Sequence, residues 1–336
     1  AAEADARVSL SQETENKAPS HVTIQREEFP IYALAPAGQA GLYVEWKMNP
    51  DATDYNVPQV FACRESMSVD LATAALSIVC ERHEALRTRF CEGDRQVLQV
   101  VERPSTARVA ESWTLGRDES CVVVSQFLRQ PFDLHVSPLA RFMVLKTFGD
   151  VDRLVMSIHH IVFDHGCETQ LYGGFVSAYM QLRDTGMVQP VARIPQMRDF
   201  AVWEAQILAE RDEELREFWT ATLKDCKPFE LSNAMDSEQL DEVGWVKFPL
   251  GIFIKEDELG RFCTRRGWPS LALYHATLSM ALGRFSESQD VLISAAFSLR
   301  ESGDFGETVG YLMNMMPFRY QKKTLAPSDY VDYCKE

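Results

Sequence analysis

Residues 157–167 read SIHHIVFDHGC: two adjacent histidines close an apolar run, and an aspartate follows four residues after the second histidine. The apolar runs 140–148 and 153–160 flank a short Gly-Asp turn, which predicts a β-hairpin. Successive side chains of a strand point to opposite faces, so His159 and His160 must diverge. Two imidazoles at the end of a buried strand are costly unless both are hydrogen-bonded. The segment therefore predicts a buried hairpin with a histidine presented at its end.

The paired histidines admit more than one chemical interpretation. A neutral imidazole can accept a proton from an attacking amine, or hold that amine in line, near physiological pH. The alternative is a pair of hydrogen-bonded core histidines without chemistry. Adjacent strand residues diverge and cannot easily share one ion, so we predict no metal site. A Ser-His-Asp hydrolase is disfavoured because the chain has no GxSxG segment.

Strand-like and helix-like segments alternate on both sides of this hairpin, which predicts two α/β lobes. We place the N-terminal lobe at residues 29–210 and the C-terminal lobe at residues 211–336. The polar residues 1–28 are expected to be a flexible tail or linker. Helical spacing predicts helices over residues 69–82 (with Ser68 as cap), 168–183, 200–224 (broken near 211), 256–266 and 271–285, and the apolar run 291–297 predicts a buried strand.

Composition excludes several classes of partner. The chain has 336 residues and a net charge of −15, from 49 acidic and 34 basic side chains. Such a surface repels nucleic acid. No apolar run is long enough to cross a bilayer, and the N-terminus does not resemble a signal peptide. The eight cysteines form no CxxC pair, which favours reduced thiols and a cytoplasmic location.

The histidine segment and several short segments outside the hairpin together resemble the motifs of a known family. The histidine segment resembles the HHxxxDG motif of condensation domains in nonribosomal peptide synthetases. Further segments resemble other motifs of that family and occur in family order: LAPAGQAGL (34–42, a weak match to SxxQxxL), RHEALRTRF (82–90, RHExLRTxF), DFAVW (199–203, YxDFAxW) and VGYLMNMMPFR (309–319, GxFVNxLPxR). One such segment alone is weak evidence, but the ordered set is strong.

The resemblance implies an α/β fold of two chloramphenicol-acetyltransferase-like lobes arranged as a V, with the second lobe incomplete at its C-terminal end. It implies an acyltransferase that joins a carrier-bound acyl, polyketidyl or peptidyl thioester to the amine of a carrier-bound amino acid. No cofactor is expected to bind directly, because phosphopantetheine is carried by donor and acceptor carrier proteins. The chain is then part of a multidomain nonribosomal peptide or hybrid polyketide synthase.

The resemblance also implies roles for residues of the histidine segment. The implied catalytic set is His160, His159 and Asp164. His160 positions or deprotonates the nucleophile, and a mere orienting hydrogen bond is the alternative. His159 holds the turn, and Asp164 forms a buried ion pair for which Arg87 is the candidate partner. Breaking such a pair leaves an uncompensated buried charge.

Other residues are assigned to the surroundings of the site. Asp199 and Trp203 are expected to support it, and His165, Gly166 and Asn314 to line the substrate channel. The glycine position of HHxxxDG is filled by His165, with Gly166 one place later. His165 either still presents its N–H to a developing oxyanion, narrows the donor channel, or marks a domain that has lost activity.

Related functions remain open on the sequence alone. An epimerisation domain shares the HHxxxDG motif, but the chain contains no EGHGR-like segment. A cyclisation domain carries DxxxxD instead and is disfavoured. A stand-alone acyltransferase that uses coenzyme A, and a degenerate module that only docks a carrier or tailoring enzyme, are the alternatives.

Overall fold

The structure, a computed structural model, describes residues 28–226, 255–286, 290–301, 303–321 and 331. The tail predicted for residues 1–28 therefore lies outside the described residues, apart from Glu28. The strands are β1 (Ile31–Leu34), β2 (Asn56–Ala62), β3 (Thr88–Glu92), β4 (Val97–Val101), β5 (Val109–Thr114), β6 (Ala140–Thr147), β7 (Arg153–His159), β8 (Asp290–Ser298) and β9 (Met313–Gln321). The helices are α1 (Ala37–Met48), α2 (Val69–Arg82), α3 (Arg117–Leu128), α4 (Glu168–Thr185), α5 (Met197–Glu210), α6 (Asp212–Thr222), α7 (Glu256–Arg266) and α8 (Ser270–Phe285).

The predicted hairpin forms the centre of a four-stranded sheet with the order β2-β7-β6-β5. β7 pairs antiparallel with both β6 and β2, while β5 joins β6 in parallel. Gly149 sits in the hairpin turn with φ of +74°, a backbone conformation that glycine adopts at little cost. Both central strands are buried along nearly their whole length, because helices cover the two faces of the sheet.

Helices α2 and α4 cover one face of this sheet, and α3 covers the other. Leu76 of α2 and Phe175 of α4 belong to the main core together with Val144 of β6. The predicted helix over residues 69–82 is confirmed, and the Ser68 hydroxyl accepts a hydrogen bond from the Leu71 N–H at 3.3 Å. A side-chain cap of this kind satisfies one of the free N–H groups of the first turn.

A second, smaller core lies between α7, α8, β8 and β9 and contains Trp268, Ala276 and Val291. The strand predicted over residues 291–297 is present as β8, but the prediction that it is buried is wrong. β8 alternates after Val291, with Ser294 and Ala296 exposed. Among the described residues β8 pairs only with β9, and α8 packs on this ribbon, which leaves part of it open.

The connection between β8 and β9 returns to the main core. Phe305, Val309 and Leu312 of this connection belong to the same core cluster as α2 and α4. Phe305 meets Phe200 of α5 edge-on, with ring centroids 5.2 Å apart. The connection thereby carries residues from the C-terminal part of the chain to the turn that follows β7. The lobe boundary at residue 210 stays a prediction.

Candidate active site

His160 stands on a short 3₁₀ turn, residues 160–162, that follows the end of β7. Its backbone N–H donates to the Tyr55 carbonyl at 2.8 Å, and its Nδ1 lies 2.6 Å from the Phe163 carbonyl oxygen. A carbonyl only accepts hydrogen bonds, so Nδ1 must carry the proton in this arrangement. In the neutral ring Nε2 then keeps its lone pair. His160 is half-buried, so the ring is not sealed inside the protein.

His159 is the buried member of the pair. It is 3% exposed, and its Nδ1 accepts a hydrogen bond from the Ile161 N–H at 3.2 Å. Burial, and secondarily the neighbouring His160, lower the pKa of His159 to about 4. The ring is therefore neutral at physiological pH, and the hydrogen bond that it accepts from Ile161 stabilises the turn of residues 160–162. This geometry fits the structural role implied for it.

Asp164 links the turn to the β8–β9 connection. Its Oδ1 accepts hydrogen bonds from Arg300 Nη2 at 2.7 Å and Nε at 3.2 Å, and its Oδ2 accepts from the Leu312 N–H at 2.8 Å. The Asp164 and Arg300 side chains are 1% and 9% exposed, which makes this a buried ion pair. A fully hydrogen-bonded carboxylate of this kind is tolerated in the interior.

The predicted partner of Asp164, Arg87, is wrong. Arg87 ends a short 3₁₀ turn, residues 84–87, just before β3. It donates instead to the carbonyl oxygen of Glu102, which follows β4, and lies 3.9 Å from Glu84. The motif that contains Arg87 indicated a buried arginine, and Arg87 is buried, but its partners are Glu84 and Glu102 rather than Asp164. Arg300 lies 136 residues from Asp164 in the sequence and falls in none of the motif segments. No local pattern could have identified it.

The steric demand of Arg300 explains the glycine that follows His165. A β-carbon built at Gly166 would overlap Arg300 Nε and stand 2.7 Å from Arg300 Cδ. The absence of a side chain at this position therefore lets the guanidinium reach Asp164. Gly166 was assigned to the substrate channel, whereas the structure shows it against Arg300.

Cys167 completes this buried cluster. Its Sγ lies 2.9 Å from Arg300 Nη2, 3.4 Å from Asp164 Oδ1 and 3.2 Å from the Gly310 carbonyl oxygen. Burial, followed by the charge of Asp164, raises the pKa of Cys167 to about 12. The thiol thus stays protonated and bridges the same two segments as the ion pair.

His165 does not cover His160. Its side chain is 89% exposed, and Nδ1 lies 3.0 Å from Glu168 Oε1 at the start of α4. A side chain turned to the surface in this way does not lie over the His160 ring. The bulkier residue at the motif's glycine position is therefore accommodated outside the site.

Two tyrosines that the sequence did not single out flank His160. The Tyr311 ring is perpendicular to the imidazole with centroids 5.2 Å apart, and the Tyr55 ring lies at 6.4 Å. Helix α1 packs behind them, where Gln39 Nε2 donates to the Ile161 carbonyl at 2.7 Å. Tyr311 lies inside a motif-like segment, but a single tyrosine at a variable place carries no sequence signal.

The remaining assigned residues lie around the site. Asp199 Oδ2 accepts from the Gln196 N–H at 2.8 Å and so caps the start of α5. Trp203 packs on Phe305, with ring centroids 5.7 Å apart. Asn314 Oδ1 accepts from the neighbouring Met315 N–H at 2.9 Å. None of the described contacts brings these three side chains to His160.

The described ranges hold neither a cluster of metal-ligating side chains nor a membrane-spanning helix. No set of three or more His, Cys, Asp or Glu side chains there is arranged to hold a metal ion. No helix of these ranges combines the length and apolar character needed to cross a bilayer.

Comparison with known sequences identifies the family. The family model described as the condensation domain matches residues 30–335. Bacitracin synthase 3 of Bacillus licheniformis is 26% identical over 330 residues, which cover 96% of this chain and 5% of the synthase. Cyclosporin synthetase simA of Tolypocladium inflatum is 30% identical over 292 residues, which cover 84% of this chain and 2% of the synthetase. The chain thus spans a small fraction of the length of the curated relatives it matches.

Solved structures share the fold at low sequence identity. The first condensation domain of the calcium-dependent antibiotic synthetase aligns with a TM-score of 0.71 at 17% identity, covering 90% of this chain and 73% of that one. The epimerization domain of tyrocidine synthetase B gives 0.73 at 20% identity and covers 92% and 74%. The X-domain from teicoplanin biosynthesis gives 0.73 at 19% identity and covers 93% and 70%. These matches confirm the predicted chloramphenicol-acetyltransferase-like α/β fold, while the V-shaped arrangement stays a prediction. With a family model matched along most of its length, the chain belongs to the condensation domain family.

Proposed function

We propose that this domain forms an amide between a carrier-bound acyl thioester and the amine of a carrier-bound amino acid. The observation that carries the proposal is the hydrogen bond from His160 Nδ1 to the Phe163 carbonyl at 2.6 Å. It fixes the tautomer in which Nε2 accepts, on a ring that is only half-buried. The relatives that the chain matches are peptide synthases and synthetases, which supports carrier-bound substrates.

The reaction needs one proton acceptor and no redox partner. The amine nitrogen attacks the thioester carbonyl carbon, a C–N bond forms, and the carbonyl oxygen becomes an oxyanion. His160 Nε2 positions the amine and takes its proton. Collapse of the intermediate breaks the C–S bond, and the proton passes to the departing thiolate. The products are an amide and a free carrier thiol.

The partners follow from this chemistry. Donor and acceptor carrier proteins or domains would each present a phosphopantetheine arm, and the chain itself would bind no cofactor directly. An acyl, polyketidyl or peptidyl donor fits the proposal equally well. We place the reaction between residues 29–210 and 211–336, and the ion pair of Asp164 with Arg300, which joins these two ranges, supports that placement.

A single-turnover assay tests the proposal. An acyl-loaded donor carrier and an aminoacyl-loaded acceptor carrier are mixed with the full chain, and the amide is measured by mass spectrometry. His160→Ala is expected to lower the rate by about 10²- to 10⁴-fold, the usual contribution of a positioned proton acceptor. The control is His135→Ala, which removes a surface imidazole that contacts Tyr43 and Trp46. Circular dichroism checks that both variants fold. An equal rate in His160→Ala and the wild type would remove His160 from the reaction.

A non-catalytic docking role is the second candidate. It is supported by His165 at the motif's glycine position and by the fold match to the X-domain in its complex with OxyB, which has a TM-score of 0.73. The same assay separates the two functions. If the wild type yields no amide with any loaded carrier pair, while it binds one of the carriers, the docking role replaces the enzymatic one.

A further inference from the structure

The residue Tyr311 is 8% exposed, and its hydroxyl makes no hydrogen bond within the described part of the protein. The hydroxyl is not among the side-chain polar atoms that are fully buried without a partner, so it reaches the protein surface. A buried tyrosine hydroxyl usually makes a hydrogen bond. Tyr43 follows this rule, since its hydroxyl lies 2.9 Å from His135 Nε2. The Tyr311 hydroxyl therefore differs from that of Tyr43, because it has no protein partner within the described residues and can meet a bound molecule.

The surroundings of Tyr311 hold its ring in place beside His160. The two rings are perpendicular at 5.2 Å, and the next residue, Leu312, is tied through its N–H to Asp164 at 2.8 Å. On the side of α1, a β-carbon at Gly38 would stand 2.9 Å from Tyr311 Cε1. The ring is thus confined by three separate segments, and a confined donor is the kind that assists catalysis.

The protonation state of Tyr311 suits a hydrogen-bond donor. Burial raises the pKa of its hydroxyl, and the negative charges of Asp164 and Glu45 raise it further. The phenol therefore keeps its proton at physiological pH. A neutral phenol next to a proton-accepting imidazole supplies the donor that His160 Nε2 cannot supply.

We propose that the Tyr311 hydroxyl contacts the substrate and donates a hydrogen bond to the carbonyl oxygen of the donor thioester. This inference rests on the proposed function of amide formation. As the amine attacks, the electron pair of the carbonyl moves to that oxygen, and the Tyr311 hydroxyl stabilises the oxyanion without losing its proton. When the C–S bond breaks, the electron pair returns and the carbonyl is restored. Tyr311 is thus a catalytic residue, and His160 handles the only proton that moves.

Two substitutions at Tyr311, one that removes the hydroxyl and one that removes the ring, distinguish a catalytic hydrogen bond from simple packing. Tyr311→Phe deletes only the hydroxyl and is expected to lower kcat by about 10²-fold with KM nearly unchanged. Its melting temperature should match the wild type, because no protein hydrogen bond is lost. Tyr43→Phe is the matched control: it deletes a hydroxyl that has a partner, so its melting temperature should fall while kcat stays. A wild-type kcat in Tyr311→Phe, with loss only in Tyr311→Leu, would show that the ring merely packs and overturns the inference.

A measurement without turnover separates this inference from the proposed function. Hexanoyl-pantetheine labelled with ¹³C at its thioester carbonyl is bound to the full chain, and its carbonyl stretch is read by difference infrared spectroscopy. A hydrogen bond from Tyr311 should lower the wavenumber relative to the free probe, and Tyr311→Phe should restore it. The same wavenumber in both proteins, or no binding, contradicts the contact even if amide is formed. A shift in a wild type that forms no amide contradicts the proposed function alone.

Discussion

Exchanging Gly38 for alanine is expected to disturb the site, whereas the same exchange at Gly41 in the same helix is not. A β-carbon at Gly38 would overlap the Met313 carbonyl oxygen and stand 2.9 and 3.2 Å from two ring carbons of Tyr311. At Gly41 no atom lies within 4 Å of the added carbon. The two variants therefore carry the same chemical change in opposite steric settings.

The magnitude follows from two opposing effects. Replacing glycine by alanine within a helix stabilises it by up to about 1 kcal/mol, and this gain is available to both variants. Forcing a methyl group into a packed contact costs about 1–3 kcal/mol. At Gly38 the obstacle is a backbone carbonyl of β9, which cannot rotate away as a side chain would. The Gly38→Ala protein should therefore be about 1–3 kcal/mol less stable than the Gly41→Ala protein.

Urea unfolding followed by circular dichroism measures this difference, and the amide-forming assay measures its effect on the site. Gly38→Ala should also form product more slowly, because α1 and Tyr311 must move apart. Gly41→Ala should be at least as stable as the wild type and equally active. Equal unfolding free energies and equal rates in the two variants would refute the reasoning.

Two further predictions concern buried charge. Arg300→Leu leaves the Asp164 carboxylate buried without a counter-charge and should lower the unfolding free energy by roughly 3–5 kcal/mol. The control Arg261→Leu breaks an exposed ion pair and should lower it by less than about 1 kcal/mol. Similar losses for the two variants in urea unfolding would contradict this prediction. The pKa values of His83 and His159 are both lowered by burial from 6.5 to about 4. As the pH falls, these histidines take up protons in the unfolded state before they do so in the folded state. The unfolding free energy is therefore undiminished above pH 6.5 and decreases towards pH 4, by up to about 3 kcal/mol per histidine. His83→Gln should lose part of this pH dependence, and an unchanged dependence would exclude His83 as a source.

Elements with a local origin could be predicted from the sequence. The break between α5 and α6 near residue 211 and the start of α2 at Ser68 depend on periodicity and capping within a few residues. The hairpin of β6 and β7 has the same local character, since an apolar run, a glycine turn and a second run lie next to each other. The structure confirms all three, because their interactions are made between neighbours in the chain.

Other elements depend on what packs against them. The prediction identified no element over residues 109–128, where the structure has β5 and α3. β5 is only partly buried, and it is held in the sheet by parallel pairing with β6. The residues of β5 alone do not predict this pairing. The run 291–297 is apolar enough for a buried strand, yet its exposure is decided by which helices cover it.

The sequence by itself determined the family, the fold class and the histidine pair with its aspartate, because these depend on residue types at short, fixed spacings. The family resemblance also implied a buried ion pair between Asp164 and an arginine. Only the tertiary structure decided that this cation is Arg300, that Gly166 makes room for it, and that Tyr311 stands against His160. These contacts join segments more than a hundred residues apart in the chain, and chain distance leaves no local pattern from which such partners could be inferred.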